Sequence, residues 1–319
     1  MTNPTLDISS DTTDKLHAVK SWIETVIRGK SEVVSKLLIC LLAKGHVLLE
    51  DVPGVGKTTL AHALSAALDL RFSRIQFTPD LLPQDLLGAN VLNPRDGSFT
   101  FHKGPVFTHL LLADEINRAS PRTQSALLEA MNEQQVTIDG ETFPLSSPFM
   151  VIATENPVEF QGTYPLPEAQ LDRFMMRLSM GYPSPDEELL MLKERRADDP
   201  LRHVHKVLSA KELPALQQKV CEVTVSEDVA KYMLRLVGRT RRESGVEIGA
   251  SPRASLALYH AAQAQAFFLG RTYVSPKDVQ ELFADCMTHR LVLNSAARYG
   301  GMSAAHIINT IVAEEPVPA

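Results

Sequence analysis

Residues 51–59 read DVPGVGKTT, a glycine-rich loop that ends in a lysine and two threonines. The run Val47-Leu48-Leu49 before the loop is apolar and prone to β-structure, and residues 60–68, LAHALSAAL, have the composition of a helix. A strand, a glycine-rich loop and a helix in this order form the context that a phosphate-binding P-loop requires. The stretch therefore predicts a nucleotide-binding α/β domain.

Each residue type in the loop suits a phosphate. Gly54 and Gly56 allow successive backbone N–H groups to turn inward around an anion, with no Cβ in the way. We expect Lys57 to reach the β- and γ-phosphates, and Thr58 to hold Mg²⁺ at the positive end of the following helix. Asp51 stands where the general pattern GxxxxGK[ST] begins with glycine. The alternative is a glycine-rich helix start in which GKT has no binding role.

The composition indicates an ordinary soluble protein of about two domains. The chain has 319 residues, of which 44 % are hydrophobic and 22 % charged, and its net charge of −6 gives no footprint for non-specific nucleic-acid binding. The apolar run 37–43 is too short to span a bilayer, and the N-terminus lacks the basic start and apolar stretch of a signal peptide. We expect a cytoplasmic protein without membrane insertion, whose residues 1–14 form a disordered leader.

Residues 15–183 alternate strand-like and helix-like segments, a pattern typical of an α/β domain with a parallel sheet. Strands are expected at 47–50, 72–78, 109–113, 149–154 and 175–179. Residues 88–104 and 136–143 each carry turn residues between β-prone flanks, which predicts two β-hairpins. Beyond the sequence YPSP at 182–185 the chain is almost wholly helical, so we place a domain boundary near residue 184 and a small helical domain over 184–319.

A buried strand that ends in two acids supplies a candidate catalytic pair. It reads HLLLADE at 109–115, and its Asp114 can hold Mg²⁺ close to Thr58. Glu115 can then orient and polarise the attacking water as a general base. Asn156 follows the strand at 149–154 and is placed to hydrogen-bond the water or the γ-phosphate; alternatively it forms a turn before a proline.

Two arginines are candidates for contacts with phosphate. Arg173 ends a short predicted helix, where it either pairs with Asp172 or acts as an arginine finger on the γ-phosphate of another subunit. Arg253 lies in the first turn of a helix that starts at the Ser251-Pro252 pair, where a positive side chain opposes the helix dipole unless an anion binds there. The alternative for Arg253 is an exposed arginine with no binding role.

Three long strings carry a resemblance to a known family: EDVPGVGKT at 50–58, LLADEINRA at 111–119 and ATENPVEFQGTYPLPEAQLDRF at 153–174. Over about residues 15–310 the chain resembles the AAA+ ATPases, and in these details it is similar to the MoxR subfamily, with which Asp51 agrees. The resemblance implies a P-loop NTPase fold, with an αβα core around a parallel sheet followed by a small all-helical lid domain.

The resemblance also implies roles for single residues. Asn156 would be sensor 1, Arg173 the arginine finger and Arg253 sensor 2, while the hairpins at 88–104 and 136–143 would be the helix-2 insert and the pre-sensor-1 hairpin. The residues expected to bind ATP are Val26, Ile27 and Gly29 beside the adenine, and Asp51, Pro53, Gly54, Val55, Gly56, Lys57, Thr58 and Thr59 in the loop. The cofactor Mg²⁺ is expected on Thr58 and Asp114.

MoxR-type ATPases are associated with maturing other proteins, including the insertion of metal cofactors into enzymes, often with a partner that carries a von Willebrand factor A domain. The resemblance therefore implies an ATP-hydrolysing homo-oligomer, commonly a hexameric ring, that remodels a client enzyme through such an adaptor without direct nucleic-acid binding. One alternative is a nucleic-acid motor or transcriptional regulator. Another is a nucleotide-sensing scaffold without turnover, against which the intact set of Lys57, Thr58, Asp114, Glu115 and Asn156 argues.

Overall fold

A five-stranded parallel sheet forms the centre of the α/β part of the chain. The computed structural model describes residues 10–156, 162–194 and 205–318. The strands of the sheet are β1 (Val47–Glu50), β2 (Phe72–Gln76), β5 (Leu110–Asp114), β8 (Met150–Glu155) and β9 (Met176–Leu178). Their order is β2-β5-β8-β1-β9, and all neighbouring pairs are parallel. The expected strands are thus confirmed, and β1, β5 and β8 are almost continuously buried because helices cover both faces.

Helices pack on both faces of this sheet. The helices of this part of the chain are α1 (Ser10–Val26), α2 (Ser31–Leu42), α3 (Lys57–Ala67), α4 (Pro83–Leu87), α5 (Pro121–Glu133) and α6 (Glu168–Leu171). The first three share one hydrophobic cluster with Val47 and Leu49 of β1, whereas α5 packs with Leu48 on the opposite face. Residues 10–14 of the predicted leader belong to α1, which corrects that prediction, and residues 1–9 lie outside the described residues.

Two β-hairpins extend from the α/β core at the expected positions. The first pairs β3 (Gly88–Leu92) with β4 (Phe99–Lys103), and the second pairs β6 (Gln135–Ile138) with β7 (Glu141–Pro144). At the base of the first hairpin a Cβ on Gly88 would lie 2.2 Å from a backbone oxygen and 2.7 Å from the backbone nitrogen of Gly104. This close approach, together with a φ of +99°, requires glycine at position 88.

The described part of the chain beyond residue 184 is mainly helical, as expected. Its helices are α7 (Pro185–Glu194), α8 (Leu213–Val220), α9 (Glu227–Thr240), α10 (Pro252–Phe268), α11 (Pro276–Met287), α12 (Ser295–Tyr299) and α13 (Ala304–Glu314). The structure adds a short antiparallel ladder of β10 (Val246–Ile248) and β11 (Val292–Leu293). One hydrophobic cluster runs from α1 and α2 into α10 and α11, so the boundary near residue 184 stays a prediction. Among the described residues, no helix combines the length and apolarity needed to cross a membrane.

Candidate nucleotide-binding site

A cavity of about 440 Å³ opens where the P-loop follows β1. This volume falls within the range of about 300–1,000 Å³ that is typical of small-molecule sites. The cavity joins the P-loop, the connection between α1 and α2, and the ends of β2, β5 and β8. The predicted site residues that line it are Val26, Ile27, Pro53, Gly54, Val55, Gly56, Lys57, Thr58, Thr59, Asp114, Glu115 and Asn156.

The backbone of the P-loop has the geometry of an anion cradle. Gly54 and Gly56 adopt φ angles of +88° and +97°, the left-handed region that favours glycine. No atom lies within 4 Å of the point that a Cβ on Gly54 would occupy, so the loop faces open space there. Gly56 is also the N-cap of α3 and gives it no side-chain cap, which leaves the first backbone N–H groups of this 11-residue helix available to a phosphate.

Lys57 lies across the loop that precedes it. Its Nζ donates a hydrogen bond to the backbone carbonyl oxygen of Asp51 at 2.7 Å. Burial lowers the pKa of Lys57, against the opposing pull of the Asp51, Asp114 and Glu115 carboxylates. A phosphate in the cavity would supply the stabilisation of the positive charge that burial removes, so the lysine suits an anionic ligand.

Asp51 does not line the cavity, although its side chain lies beneath the loop. Its buried carboxylate accepts hydrogen bonds from Ser179 Oγ at 2.8 Å, from the Gly181 backbone N–H at 3.0 Å and from the Met180 backbone N–H. The predicted contact of Asp51 with the nucleotide is therefore corrected. This residue ties the start of the P-loop to the chain that follows β9.

Gly29 likewise lies outside the cavity. Its φ is +70°, and a Cβ there would lie 1.8 Å from a carboxylate oxygen of Glu187, so the position serves a close approach between the α1–α2 connection and α7. Its neighbours Arg28 and Lys30 line the cavity instead, and Lys30 Nζ donates to the Tyr182 carbonyl at 2.9 Å. Arg28 belongs to the stretch 26–29 that the resemblance places beside the adenine, whereas sequence reasoning missed Lys30.

Asp114 is held by partners from two neighbouring strands. Its Oδ1 accepts a hydrogen bond from Thr154 Oγ1 at 2.6 Å, and its Oδ2 pairs with Arg74 Nη2 at 2.7 Å. Asp114 and Thr58 line the same cavity, and the oxygens they offer are of the kind Mg²⁺ prefers. The donor chemistry therefore fits the metal, which would share this carboxylate with the guanidinium of Arg74.

Glu115 adopts a backbone conformation that is uncommon for any residue but glycine. Its φ is +57°, and its backbone N–H donates to Thr154 Oγ1 at 2.9 Å. Gln76 Nε2 and Arg118 Nη1 donate to its Oε2 at 2.7 and 2.9 Å, which fixes the carboxylate beside the cavity. Such strained positions cluster at functional sites. Sequence reasoning missed Arg74 and Gln76, which are the alternate polar residues of β2.

Asn156 follows β8 directly and lines the cavity with its side chain mostly buried. The structure thus brings it to the same site as Glu115. The proline in its alternative role, Pro157, lies outside the described residues.

Arg173 and Arg253 do not line the cavity of their own chain. The proposed pairing of Arg173 with Asp172 is wrong, because Asp172 Oδ1 pairs with Arg290 Nε at 2.7 Å. The Nε of Arg173 is buried without a hydrogen-bond partner among the described residues. Arg253 is exposed in the first turn of α10, and Ser251 Oγ at the start of that helix donates to Asp172 Oδ2 at 2.8 Å. This contact joins the two segments that carry the arginines.

Known proteins match both parts of the chain. Residues 46–176 match the ATPase family associated with various cellular activities, and residues 238–311 match the AAA lid domain. The crystal structure of a proposed ATPase from Cytophaga hutchinsonii superimposes with a TM-score of 0.90 at 42 % sequence identity and covers 96 % of each chain. The expected αβα core with a helical lid is thereby confirmed.

Named relatives align along almost the whole chain. The uncharacterized protein YeaC of Bacillus subtilis is 47 % identical over 93 % of this chain and 92 % of its own length. Chaperone MoxR1 of Mycobacterium tuberculosis is 43 % identical over 93 % of this chain and 80 % of its own. Protein MoxR of Paracoccus denitrificans is 30 % identical over 97 % and 98 %. With the P-loop cavity and its acids, these matches show that the chain belongs to the MoxR family of AAA+ ATPases.

Proposed function

We propose that the protein is an ATP-hydrolysing ring ATPase that remodels partner proteins. The convergence of Lys57, Thr58, Asp114, Glu115 and Asn156 on one cavity carries the hydrolytic part of this proposal. A P-loop alone would bind nucleotide, whereas a general base and a water-orienting amide are needed only for turnover.

The residues of the cavity divide the reaction between them. The loop N–H groups and Lys57 would bind the phosphates of ATP, and Thr58 and Asp114 would hold Mg²⁺. A bound Mg²⁺ would supply positive charge that offsets the negative charge of the phosphates. Asn156 orients a water molecule, and Glu115 takes its proton as the water oxygen attacks the γ-phosphorus and the bond to ADP breaks. The products are ADP and inorganic phosphate.

Arg173 and Arg253 would complete the site of a neighbouring subunit. Two observations support this placement. Neither arginine lines the cavity of its own chain, and Asp172 forms its ion pair with Arg290 rather than with Arg173. An arginine that stabilises the transferred γ-phosphoryl group from another subunit requires a homo-oligomer. A hexameric ring is the arrangement that the family resemblance implies.

The two hairpins are the proposed route from ATP turnover to a client. Phe101 of the first hairpin stacks on Phe143 of the second with ring centroids 4.2 Å apart, so they contact each other. At the far end of the first ladder, Leu92 and Phe99 are partners and are 52 % and 68 % exposed. An exposed apolar pair of this kind suits contact with another protein.

The identity of the client rests on the family. MoxR1 of M. tuberculosis is named a chaperone. By that analogy we propose maturation of a client enzyme, including metal-cofactor insertion, through an adaptor with a von Willebrand factor A domain.

Steady-state ATP hydrolysis by the wild-type protein is the first test. Lys57→Ala should lose nucleotide binding, and Glu115→Gln should bind ATP but turn over about 10²-fold more slowly because it lacks the general base. Wild-type turnover in Glu115→Gln would overturn the assignment of the base. Binding of ATP without turnover by the wild type would favour a scaffold instead.

The remodelling part needs a capture experiment. Glu115→Gln loaded with ATP should retain an adaptor or client enzyme from native extract, and Lys57→Ala serves as the control that lacks nucleotide. Recovery of nucleic acid with the ATP-loaded form would instead support a motor.

A further inference from the structure

Arg290 donates several hydrogen bonds to the segment that contains Arg173. It lies in the short 3₁₀ turn after α11, 5 % exposed. Its Nε donates to Asp172 Oδ1 at 2.7 Å, and its Nη2 donates to the carbonyl oxygens of Asp172 and Phe174 at 3.2 and 2.8 Å. Its Nη1 donates to the carbonyl oxygens of Met175 and Cys286. One guanidinium from the helical domain thus holds both the side chain and the backbone of residues 172–175.

Asp172 extends this contact to the segment that contains Arg253. Its Oδ2 accepts the hydrogen bond from Ser251 Oγ, and the same hydroxyl accepts a hydrogen bond from the Ala254 backbone N–H as the N-cap of α10. Asp172 lies one residue before Arg173, and Ser251 lies two residues before Arg253. A single carboxylate therefore fixes the starting points of two arginine-bearing segments relative to each other.

Asp172 also affects the charge of Arg290. Burial lowers the pKa of Arg290, the positive charge of Arg253 adds to that effect, and Asp172 opposes it. The Asp172 carboxylate therefore stabilises the buried positive charge of Arg290.

We propose that Arg290, Asp172 and Ser251 form a positioning unit that holds Arg173 and Arg253 as one rigid pair, aimed at the nucleotide of a neighbouring subunit. Arg290 and Ser251 touch no substrate in this scheme and act through the two arginines. A buried ion pair is weak evidence for stability, because an apolar side chain of similar volume often serves as well. A planar guanidinium that donates to several acceptors at once instead fixes the relative positions of those acceptors.

Graded variants test the unit. Arg290→Lys keeps the positive charge but cannot donate all the hydrogen bonds of the guanidinium. Asp172→Asn keeps the shape of the side chain but loses its negative charge. Ser251→Gly removes the hydroxyl bound to Asp172 at little cost to helix capping. Each should lower kcat about tenfold or more by misplacing the arginines, while the affinity of the chain's own P-loop for ATP stays at the wild-type value.

Arg271→Lys is the matched control. Arg271 also pairs with a mostly buried aspartate of the helical domain, Asp278, at 2.9 and 2.5 Å, and it makes no contact with residues 172–175. Thermal unfolding reports the destabilisation of each variant, and kcat should fall only in Arg290→Lys. Should Arg290→Lys fail to fold, Ser251→Gly and Asp172→Asn carry the same comparison.

Two further measurements separate positioning from a general structural effect. In a double-mutant cycle, Arg290→Lys should cost little more activity once Arg173 is alanine. Mixing Arg290→Lys subunits with Glu115→Gln subunits should restore turnover, because intact arginines of one then meet the intact base of the other. Additive losses in the cycle, or mixtures without recovery, would overturn the positioning unit.

This inference rests on the proposed ATPase function, and the two fail in different ways. A wild-type protein without turnover, or full activity in Arg173→Ala, would remove the proposed mechanism. Wild-type kcat in Asp172→Asn and Ser251→Gly, beside an inactive Arg173→Ala, would remove the positioning unit alone.

Discussion

At the scale of single residues, Asp51 fixes the start of the P-loop through hydrogen bonds to the chain that follows β9. Its buried carboxylate accepts hydrogen bonds from three successive residues, Ser179, Met180 and Gly181, while its backbone carbonyl holds Lys57. The residue thus couples the position of the loop to the end of β9 without lining the cavity.

Replacement of Asp51 by glycine, the residue of the general P-loop pattern, should therefore lower the stability of the folded protein. We expect a loss of about 2–3 kcal/mol in the free energy of unfolding, since the buried donors of residues 179–181 lose a charged acceptor. Urea denaturation measures this loss, and Asp51→Asn, which keeps one acceptor oxygen, should lie between the two. A glycine variant as stable as the wild type would contradict the anchoring role.

Gly29 allows a prediction with two separable parts. Gly29→Ala introduces a Cβ at a φ of +70° and places it on the Glu187 carboxylate. The left-handed backbone alone should cost about 1–2 kcal/mol of unfolding free energy. In the Glu187→Ala background the steric part should vanish and the backbone part should remain, as measured by chemical denaturation. An equal loss in both backgrounds would show that Glu187 moves aside freely.

At the scale of elements, the paired hairpins are set apart from the hydrolytic site. Their mutual contact uses Phe101 and Phe143, together with a hydrogen bond from Asn90 to Asp139 at 2.6 Å. None of these four residues lines the nucleotide cavity. These hairpin contacts can therefore be altered without changing a residue that lines the cavity.

The double variant Leu92→Ser/Phe99→Ser should keep basal ATP hydrolysis and thermal stability, because both side chains are already exposed. It should lose the capture of adaptor or client by the ATP-loaded Glu115→Gln form. Leu234→Ser is the matched control, since Leu234 is 61 % exposed on α9 of the helical domain. Equal capture by the double variant and the control would exclude the hairpin end as the client contact.

At the scale of the whole molecule, His46 links the sheet to α5. Its Nδ1 accepts a hydrogen bond from the Val151 backbone N–H at 3.0 Å, and its Nε2 lies 3.2 Å from the Met131 carbonyl oxygen, to which the neutral ring donates. Burial lowers the pKa of His46 to about 4. The folded protein therefore keeps this ring neutral at pH values where the unfolded chain already binds a proton.

The stability of the wild type should fall as the pH drops from about 6.5 to about 4, because the unfolded state then binds more protons. The contribution of His46 over this window is about 3 kcal/mol. The free energy of unfolding measured by urea titration at several pH values should show this slope. His46→Gln, which keeps a donor and an acceptor but does not titrate, should show a smaller slope, and equal slopes would contradict the assignment to His46.

The parts of the fold and site that sequence predicted are those with local signals. The P-loop, the Asp114-Glu115 pair and Asn156 each follow an apolar strand, and parallel strands bring their ends to one edge of the sheet. Arg74 and Gln76 were missed because two polar residues in a strand have no signature of their own. The pairing of Asp172 with Arg290 spans 118 positions of the chain, and only tertiary packing reveals it.

The first hairpin enters and leaves the core at nearly the same point, because Gly88 and Gly104 lie almost in contact. Residues 89–103 thus form an insertion whose two ends join the core at adjacent positions. Exchange of this insertion between relatives need not disturb the central sheet or the cavity at the P-loop. Under the proposed role of the hairpins, client recognition can diversify by exchange of this insertion while the ATPase core stays the same, and grafted insertions offer a direct way to redirect it.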